Sequence, residues 1–441
     1  MRYFLDPFGC VKNQVDAENM MSHLNKAGWE SASAEKADLI IINSCGFIES
    51  AKKESINAVL EWRKLYPEKK ILLAGCLAQR YAKELSKSMP EADGFFGVSN
   101  IAEITQAAAD IIKSEKIKTA NASLSTGERP LLSLPGSAYV KISEGCDNRC
   151  SFCAIPLIRG GLVSRTIPDI LEECRVLLDR GIRELCIIGQ DIGSFGTENV
   201  TASKLPELLD AISSLKGNFW ARLLYIHPDH FPLPILDIME KDTRILPYFD
   251  IPFQHASAKI LAAMNRHGTA EKHLALLETI RGRLPCAVIR STFLLGFPGE
   301  TEEDFAALLD FQEKAALDWL GCFTYSREED TAAFSMKGRV PAKTAAVRKK
   351  LIEERQVPIT EKNMDRFAGL PLEVLIEERI DCGADGENLW LGRLYCHAPE
   401  IDGAAVIVSG GAASSPSAGT FAKCKVIARR GFDLEVMLTT T

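Results

Sequence analysis

Cys146, Cys150 and Cys153 fall within eight residues, in the run Cys-Asp-Asn-Arg-Cys-Ser-Phe-Cys. Thiolates at this spacing suit iron–sulfur chemistry, because a compact loop lets neighbouring cysteines reach different iron corners of a cubane cluster. Three thiolates fill three corners and leave the fourth iron open. The same run would also serve a zinc ion completed by a distant fourth ligand. A second set of three, Cys10, Cys45 and Cys76, is scattered, its successive members 35 and 31 positions apart. Each follows a short apolar run. A lone cysteine in that position is ordinarily a packing residue, but all three should converge at one sheet edge. The remaining cysteines (Cys174, Cys186, Cys286, Cys322, Cys382, Cys396, Cys424) fall mostly in apolar runs and read as packing.

Composition narrows the setting for this chemistry. The chain has 441 residues, 46% hydrophobic and 25% charged, with a formal net charge of −7. That is ordinary for a globular protein of several domains. Without a long basic run, the overall field does not favour nucleic acid. The opening residues lack the charged-then-apolar-then-small order of a signal peptide. No apolar run reaches 18 residues, so no membrane span is expected. These features point to the cytoplasm, where 13 cysteines serve as metal ligands, catalytic thiols or packing rather than disulfides.

The elements that must position the cysteines divide into three regions. In the first, residues 1–118, strand-like runs Arg2–Asp6, Ala37–Ser44 and Lys70–Gly75 alternate with helical segments such as Ser50–Leu60. This is the βαβ rhythm of an open α/β sheet, whose ligands lie beyond the carboxyl ends of the strands. A polar Ser-, Gly- and Pro-containing linker, residues 119–131, follows. In the second region, 132–366, strand-like runs Ala138–Ile142, Glu184–Ile188, Arg222–Ile226, Val288–Leu295 and Gly321–Tyr325 alternate with helical runs Pro168–Arg180, Leu205–Leu215 and Glu302–Ala315. Repeats of this length predict a full or partial (β/α) barrel with functional residues at the strand C-termini. The Cys146–Cys153 loop follows its first strand. The third region, 367–441, carries short β-type runs and Gly-rich turns, and predicts a small β-barrel. It holds ten acidic residues and six Lys plus Arg, a net charge of −4. Ser409–Gly419 reads as a flexible loop within it.

The Cys146-x3-Cys150-x2-Cys153 spacing, with Phe152 before the third cysteine, resembles the radical S-adenosylmethionine (SAM) superfamily. The whole chain resembles the methylthiotransferase family within it. The resemblance rests on Phe8–Glu18 (Phe-Gly-Cys-Val-Lys-Asn-Gln-Val-Asp-Ala-Glu), Asn43–Ile48 and Ala74–Tyr81, and covers nearly all residues. Several stretches look like the RimO-like branch, which modifies an aspartate of ribosomal protein uS12. They are Gly9–Asp16, Arg159–Arg165, Leu246–Ser257 and Ala398–Gly403. Phe8 and Val11 depart from the Leu and Pro of the pattern, and Ile226–His230 departs from an aromatic run.

The resemblance implies an α/β multidomain chain: an N-terminal open-sheet domain, a partial TIM-type radical SAM barrel and a C-terminal TRAM barrel. It implies two [4Fe–4S] clusters. The one on Cys146, Cys150 and Cys153 binds SAM at its open iron and cleaves it to a 5′-deoxyadenosyl radical. The one on Cys10, Cys45 and Cys76 carries sulfur to the carbon radical formed on the aspartate β-carbon, and a second SAM supplies the methyl group. Gly296, Phe297, Pro298 and Gly299 would lie beside the adenine of SAM, and Gly189, Gln190 and Asp191 at its amino end. Plain strand-to-helix turns would explain both stretches equally well. His255, Arg290 and Ser164–Arg165 are weaker candidates for SAM or substrate contacts. The substrate would be uS12, free or within the 30S ribosome. A flavodoxin- or ferredoxin-type donor would supply electrons, and the chain would act as a monomer away from membranes. The acidic third region complements a basic protein better than RNA. The rivals are the MiaB-like branch, which acts on a transfer RNA adenosine, and a zinc-holding RNA-interaction protein.

Overall fold

A computed structural model describes residues 1–112, 128–381, 388–408 and 416–439. Most of the expected linker, Cys382, and residues 409–415 of the expected loop lie outside the described residues. The chain forms two compact units. One comprises Met1–Leu132, Ser143–Val163 and Ser326–Phe334; the other comprises Ser133–Ile142, Ser164–Tyr325 and Ser335–Thr441. Compactness therefore groups the Cys146–Cys153 loop with the N-terminal sheet, a partition that regions read along the sequence do not have.

In the first unit, strands β1 (Arg2–Pro7), β2 (Glu30–Ser31), β3 (Leu39–Ser44), β4 (Lys70–Gly75) and β5 (Gly94–Phe96) form a parallel sheet in the order β2-β1-β3-β4-β5. Helices α1 (Val11–Lys26), α2 (Glu49–Leu65), α3 (Cys76–Ser88) and α4 (Ile104–Ile112) cover it. Strand side chains alternate between faces. Leu39, Ile41 and Leu72 pack with Met20, Leu24 and Ile104 on one side. Ile40, Ile42 and Leu73 pack with Val59, Leu77 and Leu85 on the other. Both faces are buried, which is why β3 reads as an unbroken Leu-Ile-Ile-Ile.

The second unit holds strands β6 (Ser137–Lys141), β9 (Glu184–Ile188), β10 (Trp220–Leu223), β11 (Ile245–Asp250), β12 (Val288–Leu295) and β13 (Trp319–Thr324). The two short strands between β6 and β9 in the chain, β7 (Ser143–Glu144) and β8 (Val163–Ser164), bracket the cysteine loop and its helix α5 (Ile155–Arg159). The six long strands form a parallel sheet in the order β13-β12-β11-β10-β9-β6, a partial barrel. Its helices include α6 (Ile167–Asp179), α7 (Leu205–Ser213), α8 (Ile235–Lys241), α9 (Ala258–Ala263), α10 (Ala270–Arg283), α11 (Glu302–Ala315) and α12 (Ala342–Asp365). Thr301 and Asp304 form a reciprocal capping box at the start of α11, so the acidic Glu302–Asp304 run does local helix-start work. Strand β11 was not among the expected strands, which treated its residues only as a motif. Pro247 lies inside it, and its pairing with β10 shifts register between Ala221 and Leu223, the irregularity at which a proline is tolerated in a sheet.

Strands β14 (Pro371–Asp381), β15 (Asn388–Arg393), β16 (Ala405–Val408), β17 (Phe421–Arg430) and β18 (Asp433–Leu438) close a five-stranded barrel. It is seated on the partial barrel by buried polar contacts. Glu184 accepts from Arg222 Nε (2.7 Å), Arg393 Nη2 (2.5 Å) and Ser137 Oγ (2.9 Å), and Trp319 Nε1 donates to the Cys396 carbonyl (2.8 Å). No helix among the described residues is long and apolar enough to cross a membrane.

Candidate metal centres and the barrel strand ends

Cys10, Cys45 and Cys76 sit directly after β1, β3 and β4, which are adjacent in the sheet. Cys10 caps α1 and Cys76 is the first residue of α3, so the positive end of a helix dipole favours each thiolate. The three loops are packed against one another. A methyl group on Gly9 would lie 2.9 Å from Cys45 Cβ, and one on Gly46 would lie 2.8 Å from the Cys76 backbone. Asn13 and Asn43 clasp them. Asn13 Nδ2 donates to the carbonyls of Phe8 (2.6 Å), Asn43 (3.2 Å) and Ser44 (3.2 Å), and Asn43 Nδ2 donates back to the Asn13 carbonyl (2.7 Å). The thiols are electrostatically distinct. Burial raises Cys76 to about 12, with Arg159 opposing and Asp16, Cys10 and Cys45 adding to the rise. Burial also leads the rise at Cys45. At Cys10, which reaches solvent, crowding by protein also acts upward. Lys12, Arg159 and the backbone N–H groups of Asn13 and Lys12 outweigh it and lower the thiol.

The Cys146–Cys153 loop folds back on itself. Cys146 N donates to the Gly160 carbonyl (3.2 Å) and Cys153 N to the Cys150 carbonyl (3.0 Å). Gly145 has φ +72°, and a Cβ there would lie 1.9 Å from the Gly161 carbonyl oxygen; only glycine fits. Asp147 Oδ1 accepts from Leu162 N at 3.3 Å. All three cysteines are half-buried. Ala154, which caps helix α5, and Ile158 within it pack against Cys76. Ala333 N donates to the Ser151 carbonyl (2.8 Å), and Glu328 binds Lys52 (2.9 Å) and Arg80 (2.8 Å). The two cysteine sets, far apart in the chain, thus belong to one compact body.

At the carboxyl ends of the partial-barrel strands, Gly189, Gln190 and Asp191 follow β9. Buried Asp191 accepts from Gly193 N (3.0 Å), His227 N (3.0 Å) and Ser194 Oγ (2.7 Å). Its carboxylate fixes the turn and ties it to the loop after β10. Gly296, Phe297, Pro298 and Gly299 follow β12. Gly296 (φ +76°) and Gly299 (φ +86°) both need left-handed backbone. Glu300 Oε2 accepts from Gly296 N (2.7 Å) and Phe297 N (3.3 Å), while Arg348 Nη1 binds Oε1 (2.5 Å). The fully buried His255 accepts from Ala256 N (2.9 Å) and Ser257 N (3.0 Å) at Nδ1. Burial lowers its pKa to about 4, so it is a neutral, loop-shaping group at pH 7. Arg290 lies in the first half of β12, not at its carboxyl end, and pairs with Asp250 (3.2 Å) and Asp402 (3.5 Å). Ser164 Oγ accepts from Gly196 N (2.9 Å), and Arg165 donates to the Lys141 carbonyl (2.8 Å). Tyr225 and Gln254, after β10 and β11, hold positive φ of +70° and +67°. Nothing in the sequence marks these strained positions, which gather at functional edges.

Free thiols are the donor type that the groups expected from the cysteine spacing would need. Among the described residues, each set offers three free thiols. Among the described residues, no group of three or more His, Cys, Asp or Glu closes around a single ion. A cubane would take thiolates at separate corners, as three cysteines in one compact loop or on three adjacent strand ends could offer.

Family models match along the chain: the uncharacterized family UPF0004 at residues 2–97, the radical SAM superfamily at 140–311 and the TRAM domain at 369–438. A ribosomal protein uS12 methylthiotransferase RimO of Treponema denticola is 47% identical, over 98% of this chain and all of that protein. Relatives of the same name from Carboxydothermus hydrogenoformans (41%, 91% and 92%) and Thermosipho africanus (39%, 91% and 92%) align similarly. The chain belongs to the uS12 methylthiotransferase family. Membership brings SAM and [4Fe–4S] clusters as cofactors, in accord with the two thiol sets. Among solved structures, the radical SAM methyltransferase TsrM of Kitasatospora setae, with cobalamin and a [4Fe–4S] cluster bound, shares the fold. Its TM-score is 0.56 at 15% identity, over 87% of this chain and 81% of that one.

Proposed function

We propose that this protein attaches a methylthio group to the β-carbon of an aspartate in ribosomal protein uS12. The observation that carries the reading is the pair of three-thiol sets, Cys10/Cys45/Cys76 and Cys146/Cys150/Cys153, in one compact unit of a chain whose full-length relatives bear that name. When bound, the clusters and SAM supply the radical, sulfur and methyl chemistry that an unactivated C–H bond requires. The protein's own residues position these groups. The Cys146–Cys153 loop presents three thiolates and withholds a fourth, leaving an iron for SAM. The turns Gly189–Gln190–Asp191 and Gly296–Phe297–Pro298–Gly299 receive SAM at the strand ends, their backbones fixed by the Asp191 and Glu300 carboxylates. The Cys10, Cys45 and Cys76 thiolates would hold the second cluster, which would supply the sulfur chemistry. The acidic C-terminal barrel favours a basic protein substrate over RNA. The enzyme works in the cytoplasm as a monomer, on free or 30S-bound uS12, with a flavodoxin- or ferredoxin-type donor.

The test is anaerobic incubation of the reconstituted protein with SAM, sulfide and reductant, offered 30S subunits and transfer RNA in parallel. The expected result is the mass of one methylthio group on the uS12 aspartate. Mass gain on transfer RNA alone would replace the substrate.

A further inference from the structure

Arg159 stands where the two cysteine sets meet. It ends α5, just beyond the Cys146–Cys153 loop, yet its side chain is about 1% exposed within the N-terminal unit. Nη2 donates to Cys76 Sγ at 3.1 Å and to Asp16 Oδ2 at 2.8 Å, and Nη1 donates to Glu144 Oε1 at 2.8 Å. Asp16 lies on α1, one and a half turns past Cys10, and is equally buried; Glu144 immediately precedes Gly145 and is a third exposed. Arg159 also acts electrostatically on Cys10 and Cys45. One guanidinium thus contacts a thiol of the first set, is anchored on the helix that Cys10 caps, and is carried by the short helix that follows the loop bearing the second set.

A buried ion pair by itself contributes little net stability, and an apolar residue would fill α5 more simply. What Arg159 adds is a fixed positive charge and an N–H directed at sulfur. Hydrogen bonds to cluster sulfurs and net charge are the main levers on iron–sulfur reduction potential, and outer partners orient the ligands. We propose that Arg159 is a positioning residue for the Cys10/Cys45/Cys76 centre, holding the Cys76 thiolate and raising the reduction potential of the cluster built there, with Asp16 as its counterweight. The inference rests on the reading of that triplet as a cluster site. It joins the centres in a definite way: the helix that follows the SAM-binding cysteines also sets the electrostatics of the sulfur-accepting ones.

The test uses the full-length chain carrying Cys146→Ala, Cys150→Ala and Cys153→Ala, so that the N-terminal cluster is read alone. Midpoint potential is measured by electron paramagnetic resonance during redox titration, and iron release by a chelator. Arg159→Gln is expected to shift the potential negative and speed iron release roughly tenfold or more. Asp16→Asn, which removes the opposing charge, is expected to shift the potential positive. Arg159→Lys keeps the charge and should fall between Arg159→Gln and the unmodified residue. A merely structural ion pair would be broken alike by Arg159→Gln and Asp16→Asn. Potentials that move in the same direction, or do not move, would therefore overturn the proposal while leaving the cluster reading intact. Failure of the parent triple variant to build any cluster would overturn the cluster reading, and this inference with it.

Discussion

Glu184→Gln removes the charge at the seam between the parallel sheet and the C-terminal barrel. Glu184 is fully buried and binds Arg222, Arg393 and Ser137. Burial alone would raise its pKa, but Arg393 and Arg222 outweigh burial and hold it at about 2 instead of 4.5. Each pKa unit corresponds to about 1.4 kcal/mol, so the ionised carboxylate stabilises this unit by ~3 kcal/mol. That agrees with the ~3–5 kcal/mol lost when one partner of a buried pair is removed. Because the folded pKa lies below the unfolded one, the contribution is complete above about pH 4.5 and is lost as pH falls toward 2. Urea unfolding followed by tryptophan fluorescence reads the seam directly. Trp220 packs on Phe421 with ring centroids 4.6 Å apart, and Trp319 bonds the Cys396 carbonyl. At pH 7 the midpoint should fall by ~1–3 M for slopes of about 1–3 kcal/mol per molar. The gap between the variant and the unmodified protein should narrow below pH 4.5. A midpoint within about 0.5 kcal/mol of the unmodified protein would refute the reasoning.

Three other outcomes are expected. Gly145→Ala forces a Cβ into the Gly161 carbonyl and should abolish iron at Cys146/Cys150/Cys153 while the N-terminal set keeps its own, seen as about half the iron per chain; full iron content would contradict the loop geometry. Asp191→Ala leaves two buried N–H donors without their acceptor and should weaken SAM binding by about 1–3 kcal/mol, roughly 5–150-fold, measured by equilibrium dialysis; unchanged affinity would remove that turn from the SAM site. Burial, first of all, lowers His227, His255, His273 and His397 to between about 2 and about 4. Each stays neutral in the fold but protonates in the unfolded chain below about pH 6.5, so stability should fall from pH 6.5 toward 4, by up to about 1.4 kcal/mol per pH unit for each histidine; a flat unfolding midpoint over that range would contradict their burial.

The cysteines and the elements before them were legible because their signals are local. Strand β3 is an apolar run followed by Cys45, and the helical run expected at Glu302–Ala315 is α11 with the same bounds. Strand β11 was not, since Pro247 breaks a strand pattern that only the neighbouring strands override. The partners of the site were hidden for a different reason. Asn13, Asp16 and Glu18 stand in the Phe8–Glu18 motif, but their tasks depend on residues far along the chain: Asn13 on Asn43, Asp16 on Arg159, and Glu18 on Arg129 at 2.8 Å. The grouping of Ser326–Phe334 with the N-terminal sheet likewise follows from Glu328 reaching Lys52 and Arg80, a pairing no sequence period encodes. Arg290 shows the opposite failure. Its place on a strand was plain, but which end of the strand it occupied required the sheet register, and it pairs with Asp250 and Asp402 in the first half of β12.

The division of labour between the two thiol sets is the central claim, and one variant addresses it. Cys10→Ala, Cys45→Ala and Cys76→Ala are combined in the full-length chain, which is reconstituted anaerobically and given SAM, sulfide, reductant and 30S subunits. Iron should fall from about eight to about four per chain, with cleavage of SAM retained and methylthio transfer to uS12 lost. Transfer at the unmodified rate, or loss of SAM cleavage together with transfer from a folded protein that still holds about four irons, would contradict the account.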